Sequence, residues 1–278
     1  MHIPTHGELG RVLLPAALRA ARLELDYFRS DLVVEHKADA SPVTAADQEA
    51  EAIVLEALAE VAPQVPVIAE EQYSAGIIPE VAGTLFLVDA LDGTRAFVKG
   101  HTDFTINVAL VVDQTPVFGM ILLPVTGEFY ITTKSGAAAY ATLDVGADVT
   151  YDELCLTEIR TRAPDPSALV VSLSNAHPSR RLEAELSDKP IAGRVEAGSS
   201  LKFCRVAEGK ADFYPRLGSI CEWDIAAGHA IVRAAGGEVT ALDGGPLRYG
   251  NCAAKYRTPP FVAWGREELK TKLHFNQE

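Results

Sequence analysis

The segment Leu85-Phe86-Leu87-Val88-Asp89-Ala90-Leu91-Asp92-Gly93-Thr94 constrains the fold more than any other part of the chain. Four apolar residues in a row predict a strand buried on both faces, which requires layers above and below it. The run stops at two carboxylates three positions apart. Gly-Thr then opens a short helix, predicted over Arg95 to Lys99. Strand ends in α/β architecture are where ligands bind, and the free N–H groups of a helix start favour an anion where glycine lets the backbone approach. Two carboxylates beside an anion make electrostatic sense only with divalent cations between them, and an oxygen-rich acidic site suits Mg²⁺. An Asp-Gly turn with a helix cap is the ordinary alternative, and this segment alone does not separate the two.

The pattern around this strand predicts two kinds of half. Helical spacing runs from Leu9 to Phe28, with an early turn or kink expected at Pro15, and a clearer helix follows Ser41–Thr44, with Ala50 to Val61 in helical spacing until Pro63 ends it. Strands are predicted at Val65 to Ala69, Phe104 to Val112, Val117 to Leu123 and Glu128 to Thr132, with a hairpin turn at Pro124–Gly127. This reads as an antiparallel sheet flanked by helices. From Ser167 helices and strands alternate: a strand at Leu169 to Leu173, helices at Ser179 to Leu186 and Leu201 to Glu208, a strand at Ala211 to Tyr214, a helix at Asp224 to Ala235 and a strand at Glu238 to Leu242. That grammar is α/β. The seam is expected within Leu143 to Asp165, giving subdomains 1–150 and 151–278 in one compact unit.

Composition narrows the partners. At 278 residues and 48% hydrophobic, the chain can bury a large core. A formal charge of −13 argues against a nucleic-acid polymer, which needs a basic face. No apolar run reaches the roughly 18 residues of a membrane span, and the first residues lack a secretory pattern. Cys155, Cys204, Cys221 and Cys252 have no C-x-x-C spacing and read as reduced thiols. A cytoplasmic enzyme acting on a small molecule is expected, with peripheral membrane association left open.

Three further elements carry acidic residues. Glu70-Glu71 follows an apolar segment, and surface Glu pairs are common. Asp224, in Glu222-Trp223-Asp224-Ile225-Ala226-Ala227-Gly228, starts an apolar helix and could merely cap it. Thr44 and Asp47, in Ser41-Pro42-Val43-Thr44-Ala45-Ala46-Asp47, fit a capping box.

Taken in order, these elements resemble the inositol monophosphatase superfamily: P-V-T-x-x-D, E-E after a strand, D-x-x-D-G-T and W-D-x-A-A-G. The stretches Lys37–Asp47 and Gly198–Arg216 are similar to its bacterial 3′(2′),5′-bisphosphate nucleotidase branch, and the likeness runs from about Leu13 to Leu247. The resemblance implies a mixed α/β fold, an αβαβα sandwich of the sugar-phosphatase type. It implies Mg²⁺ at Glu70, Asp89 and the Leu91 carbonyl, and a second ion at Asp89, Asp92 and Asp224, with a third held weakly near Glu70. Phosphomonoester hydrolysis by activated water is implied, with Thr44, Asp47, Glu70 and Thr94 in catalytic roles. Asp92, Gly93, Thr94 and Asp224 would meet the substrate, and Ser199, Lys202 and Arg216 its second phosphate.

The favoured substrate is 3′-phosphoadenosine 5′-phosphate, hydrolysed to AMP in the context of sulfate assimilation. Inositol monophosphatase or fructose-1,6-bisphosphatase-like activity is the alternative, and a weakly active phospholigand-binding regulator a third. Lithium inhibition and a homodimer belong to the same set of expectations. Two departures stand out. Ala90 replaces the family's usual proline, which is expected to loosen that loop slightly. Leu173 and Asn175 stand where relatives often carry Ser-Arg-Ser-His, with His177 nearby, which bears on adenine and ribose contacts. The haloacid-dehalogenase motif D-x-D-G-T has a different acidic spacing, so no phospho-aspartate is expected at Asp89.

Overall fold

The computed structural model describes residues 3–29, 35–36, 42–174 and 179–276. The first half opens with α1 (His6–Phe28), two short strands β1 (Glu35–His36) and β2 (Pro42–Val43), and α2 (Ala45–Val61). Pro15 does not end α1. It lies on the exposed face, so the carbonyl freed one turn earlier, on exposed Arg11, faces solvent. The chain continues through β3 (Val67–Ala69), α3 (Glu70–Ser74), β4 (Thr84–Asp92), α4 (Thr94–Val98), β5 (Thr105–Val112), β6 (Thr115–Leu122), β7 (Glu128–Thr132), β8 (Ala138–Thr142) and β9 (Thr157–Ile159). Strands β3 to β9 form one sheet in sequential order. All its pairs are antiparallel except β3–β4, which is parallel because α3 intervenes before the chain returns.

The second half adds β10 (Leu169–Leu173), α5 (Arg180–Leu186), β11 (Ile191–Glu196), α6 (Leu201–Ala207), β12 (Phe213–Arg216), β13 (Ile220–Cys221) and α7 (Ala226–Ala234). It closes with β14 (Glu238–Ala241), β15 (Arg257–Thr258), β16 (Phe261–Trp264) and α8 (Glu267–Lys270). Its main sheet runs β11-β10-β12-β16-β14. Strand β12 begins two residues later than the expected Ala211, because the Asp212 carboxylate is engaged by Arg162 and by the Val170 N–H.

Three apolar interiors separate five layers. α1 and α2 pack on one face of the first sheet through Leu13, Leu14, Val54, Phe86, Val88 and Val108. The other face, through Leu87, Ala109 and Ile121, meets α6 and α7, which also cover the second sheet. The outer face of that second sheet is sealed by α5, α8 and the C-terminal Leu273 and Phe275. The order is therefore helix, sheet, helix, sheet, helix, the αβαβα sandwich expected from the sequence. The middle layer is tight. A Cβ on Gly119 of β6 would sit 2.3 Å from the Ala227 carbonyl oxygen of α7. Gly119→Ala is expected to cost about 1–3 kcal/mol of stability, measured by chemical denaturation, because backbone rather than a movable side chain blocks it.

Candidate active site

Strand geometry sets a problem for the two carboxylates of β4. Successive side chains alternate between faces, so residues three apart should point in opposite directions. The pairing with β5 resolves it: Asp89 faces Asn107 and Asp92 faces Thr105, so three steps on β4 are matched by two on β5. The extra residue is a bulge, and it turns both carboxylates to the side of the sheet that meets α6 and α7. The Leu91 N–H donates to Asp89 Oδ1 at 3.0 Å and stabilises the turn. Gly93 follows at φ 102°, a left-handed conformation that glycine adopts without strain, and caps α4. A Cβ there would lie 2.4 Å from Ser199 Oγ, so glycine is also required for the approach of the second half.

Other elements bring their acids to the same place. Glu70 begins α3 at the end of β3, beside β4, and its carboxylate accepts a hydrogen bond from Trp223 Nε1 at 3.1 Å. Asp224 stands just before α7. Ligand atoms of Glu70, Asp89 and Asp224 all lie within 4.8 Å of one another. Asp92 is outside this trio. Its Oδ2 is 3.4 Å from Asn107 Nδ2 and 3.4 Å from Ser200 Oγ. Ser200 in turn donates to the Asp224 carbonyl at 2.6 Å, tying the two ligand-bearing segments together.

Burial first and mutual repulsion second push the Asp89 and Asp224 carboxyls well above the usual range. Burial raises Asp92 to about 6, against the pull of Lys202. The donor set is all oxygen and crowded, with Asp89 buried and the other acids half-buried around it, and it fits a hard divalent cation such as Mg²⁺.

The capping-box and catalytic readings of Thr44 and Asp47 prove compatible. Asp47 Oδ2 accepts from the Thr44 N–H and from Thr44 Oγ1, each at 2.8 Å. Asp47 Oδ1 accepts from Thr94 Oγ1 at 2.7 Å. One carboxylate thus starts α2 and reaches the cleft through Thr94. Thr94, Gly93, Leu91 and the acids line a cavity of about 500 Å³ together with Ser199, Lys202 and Arg216. Lys202 is buried, donates to the Ser199 carbonyl at 2.6 Å, and is lowered by desolvation to about 8. Ser199 holds φ 43° and donates to the Asp92 carbonyl at 2.9 Å, a strained backbone fastened to the metal-ligand strand. Of the Leu173–His177 departure, Leu173 is buried in β10 and Ser174 lines the cavity. Asn175, Ala176 and His177 lie outside the described residues, as do Lys37 to Ser41.

Sequence reasoning missed Asn107, Ser200 and the role of Trp223. Asn107 sits in a strand-like run whose period signals only burial. Ser200 reads as an ordinary helix start. Trp223 was visible as part of a motif, but nothing in its spacing points at Glu70.

Fold and site define a metal-dependent phosphatase built as a five-layer sandwich. The chain belongs to the inositol monophosphatase family, whose model matches residues 8–272. It is 36% identical over 216 residues to the 3′(2′),5′-bisphosphate nucleotidase CysQ of Escherichia coli K12, covering 78% of this chain and 82% of that one. The crystal structure of CysQ from Bacteroides thetaiotaomicron superposes with TM-score 0.77 at 33% identity, covering 94% of this chain and 98% of that one. An inositol monophosphatase from Anabaena shares the fold at TM-score 0.72 and 24% identity, covering 95% and 92%. Among the described residues no helix is long and apolar enough to cross a membrane.

The raised carboxyls give a testable linkage. A group whose folded pKa exceeds its unfolded value contributes stability at low pH and loses it as pH rises through the folded value. For Asp92 that window is 3.8 to about 6, and Asp89 and Asp224, also raised, act in the same direction. Metal-free protein therefore loses this contribution toward neutrality, where the ligands are ready for a cation. The rise in Tm on adding Mg²⁺ is expected to be clearly larger at about pH 8 than at about pH 5. Equal shifts would mean that the cluster is not the binding site.

Proposed function

We propose that the protein is a 3′(2′),5′-bisphosphate nucleotidase that removes the 3′-phosphate of 3′-phosphoadenosine 5′-phosphate. Two Mg²⁺ ions are assigned: one to Glu70, Asp89 and the Leu91 carbonyl, the other to Asp89, Asp92 and Asp224, with a weaker third beside Glu70. Bound divalent cations supply water activation and charge neutralisation for in-line displacement at phosphorus. The chain's own residues do the rest. Thr94 Oγ1 donates to Asp47 Oδ1, so the hydroxyl's lone pairs can take a proton from water in the cleft and Asp47 receives one in exchange. Thr44 holds Asp47 from behind so that one carboxylate oxygen stays on Thr94. Gly93 and Thr94 present the start of α4 to the phosphate oxygens. The subdomain division is better drawn after β9 than at residue 150, because Thr157–Ile159 still pair with β8 in the first sheet and the second sheet begins at Leu169.

The observation that carries the substrate class lies beyond the carboxylates. The metal cavity continues into a second cavity of about 640 Å³, and Ser174, Lys202, Tyr214 and Arg216 line both. Two cations thus stand where the cleft turns from the acids toward a further compartment. Lys202 is buried and lies 5.4 Å from the centre of the Tyr214 ring, and Arg216 Nε has no hydrogen-bond partner among the described residues. A substrate with one phosphate on the metals and a second anionic group at this junction satisfies both. The CysQ relatives are nucleotidases by name, in accord with this reading.

Phosphate release from 3′-phosphoadenosine 5′-phosphate, inositol 1-phosphate and fructose 1,6-bisphosphate, measured side by side with Mg²⁺, tests it. A strong preference for the adenine bisphosphate is expected. Lys202→Ala and Arg216→Ala should raise KM for it by about tenfold or more, one lost charge-assisted contact each, and leave inositol 1-phosphate hydrolysis little changed. Equal losses on both substrates would remove the second-phosphate site. Asp47→Asn is expected to lower kcat by about 10²–10⁴, and undiminished turnover would take Asp47 out of the proton path.

A further inference from the structure

Strand β5 carries two polar side chains into the interior directly behind the metal ligands. Thr105 and Asn107 are both fully buried, and both lie on the face shared with Ala109 and Val111, the face that meets α6 and α7. Thr105 Oγ1 and Asn107 Oδ1 have no hydrogen-bond partner among the described residues. A buried orphan acceptor is unfavourable, and an apolar residue of the same shape would avoid that cost. A packed β-sheet has no need of an asparagine at such a position.

The other end of the same amide accounts for its presence. Asn107 Nδ2 faces Asp92 Oδ2 at 3.4 Å. The reverse orientation would set the amide oxygen against a carboxylate, so chemistry decides which way the group points. Asp92 is the acid outside the tight trio of Glu70, Asp89 and Asp224. Asn107 donates to it from the sheet, whereas Ser200 Oγ, also 3.4 Å away, gives its one proton to the Asp224 carbonyl at 2.6 Å. Asn107 thus fixes the carboxylate in rotation, with the bulge of β4 supplying its backbone position.

We infer that Asn107 is a positioning residue for the metal centre, its amide N–H aiming the Asp92 carboxylate while its own Oδ1 stays unpaired. The inference rests on the proposed assignment of Asp92 as a ligand. Outer-shell partners of this kind are worth about 10–100-fold in metal affinity. The cost in fold stability and the gain in binding thus have opposite signs, and a residue kept merely for packing would not show that split.

Isosteric Asn107→Leu, prepared free of metal, makes the test. Its Mg²⁺ affinity is measured by calorimetry and its thermal stability without metal by circular dichroism. The expected result is a Mg²⁺ dissociation constant raised about tenfold or more with a metal-free Tm equal to or above that of the parent. Thr105→Val, which removes the neighbouring orphan without touching Asp92, should bind Mg²⁺ as the parent does. Should the leucine variant fail to fold, Asn107→Ser loses the same amide and is read in the same way. Unchanged Mg²⁺ affinity overturns the inference. So does weakened affinity accompanied by a lower metal-free Tm, or an equal loss in Thr105→Val. A parent protein that binds no Mg²⁺ would instead overturn the metal site itself, and this inference with it.

Discussion

Repulsion among buried carboxylates is the interaction on which the rest of the structure turns. Burial first, and repulsion from Glu70, Asp92 and one another second, raises the proton affinity of Asp89 and Asp224. No arrangement of neutral donors would make such a cluster comfortable. The fold holds it because three apolar interiors, two of them meeting at the first sheet, fix the backbones that carry the acids. The strain is local and the support is distributed.

The way the acids reach one another is a matter of sheet geometry more than of side-chain length. A regular β4 would have sent Asp89 and Asp92 to opposite faces. One extra residue, Ala90 or Leu91, is absorbed by the bulge, and both of these apolar side chains are buried, Ala90 in the first interior and Leu91 against Ala46, Phe97 and Phe104. The motif D-x-x-D-G-T is therefore a backbone instruction as much as a list of ligands: x-x must be apolar to fill, and G must be glycine to let Ser199 approach.

Much of this was legible beforehand, and the parts that were not share a cause. The apolar run before Asp89, the capping pair Thr44–Asp47 and the helix starting at Asp224 are local patterns, and each formed where its periodicity placed it. β8 and β9 escaped notice because Ala138–Thr142 and Thr157–Ile159 are short and weakly apolar, and become strands only by pairing with neighbours already in place. β11 has an alternating half-exposed pattern that marks a sheet edge, and β16 is a four-residue buried run. At the site, the acids were readable as motif residues. Asn107 and Ser200 were not, because their importance lies in what they touch across the layers, and no spacing along the chain encodes that.

The clustered acids are divided between distant parts of the chain: Asp89 lies in the first sheet and Glu70 begins α3 beside it, whereas Asp224 precedes the helix wedged between the two sheets. Cations held among these acids, as proposed, would be a clasp between layers as well as reagents. The cluster is complete only where α7 lies against Gly119 and its neighbours, so the close packing of the middle layer also sets the spacing of the acids.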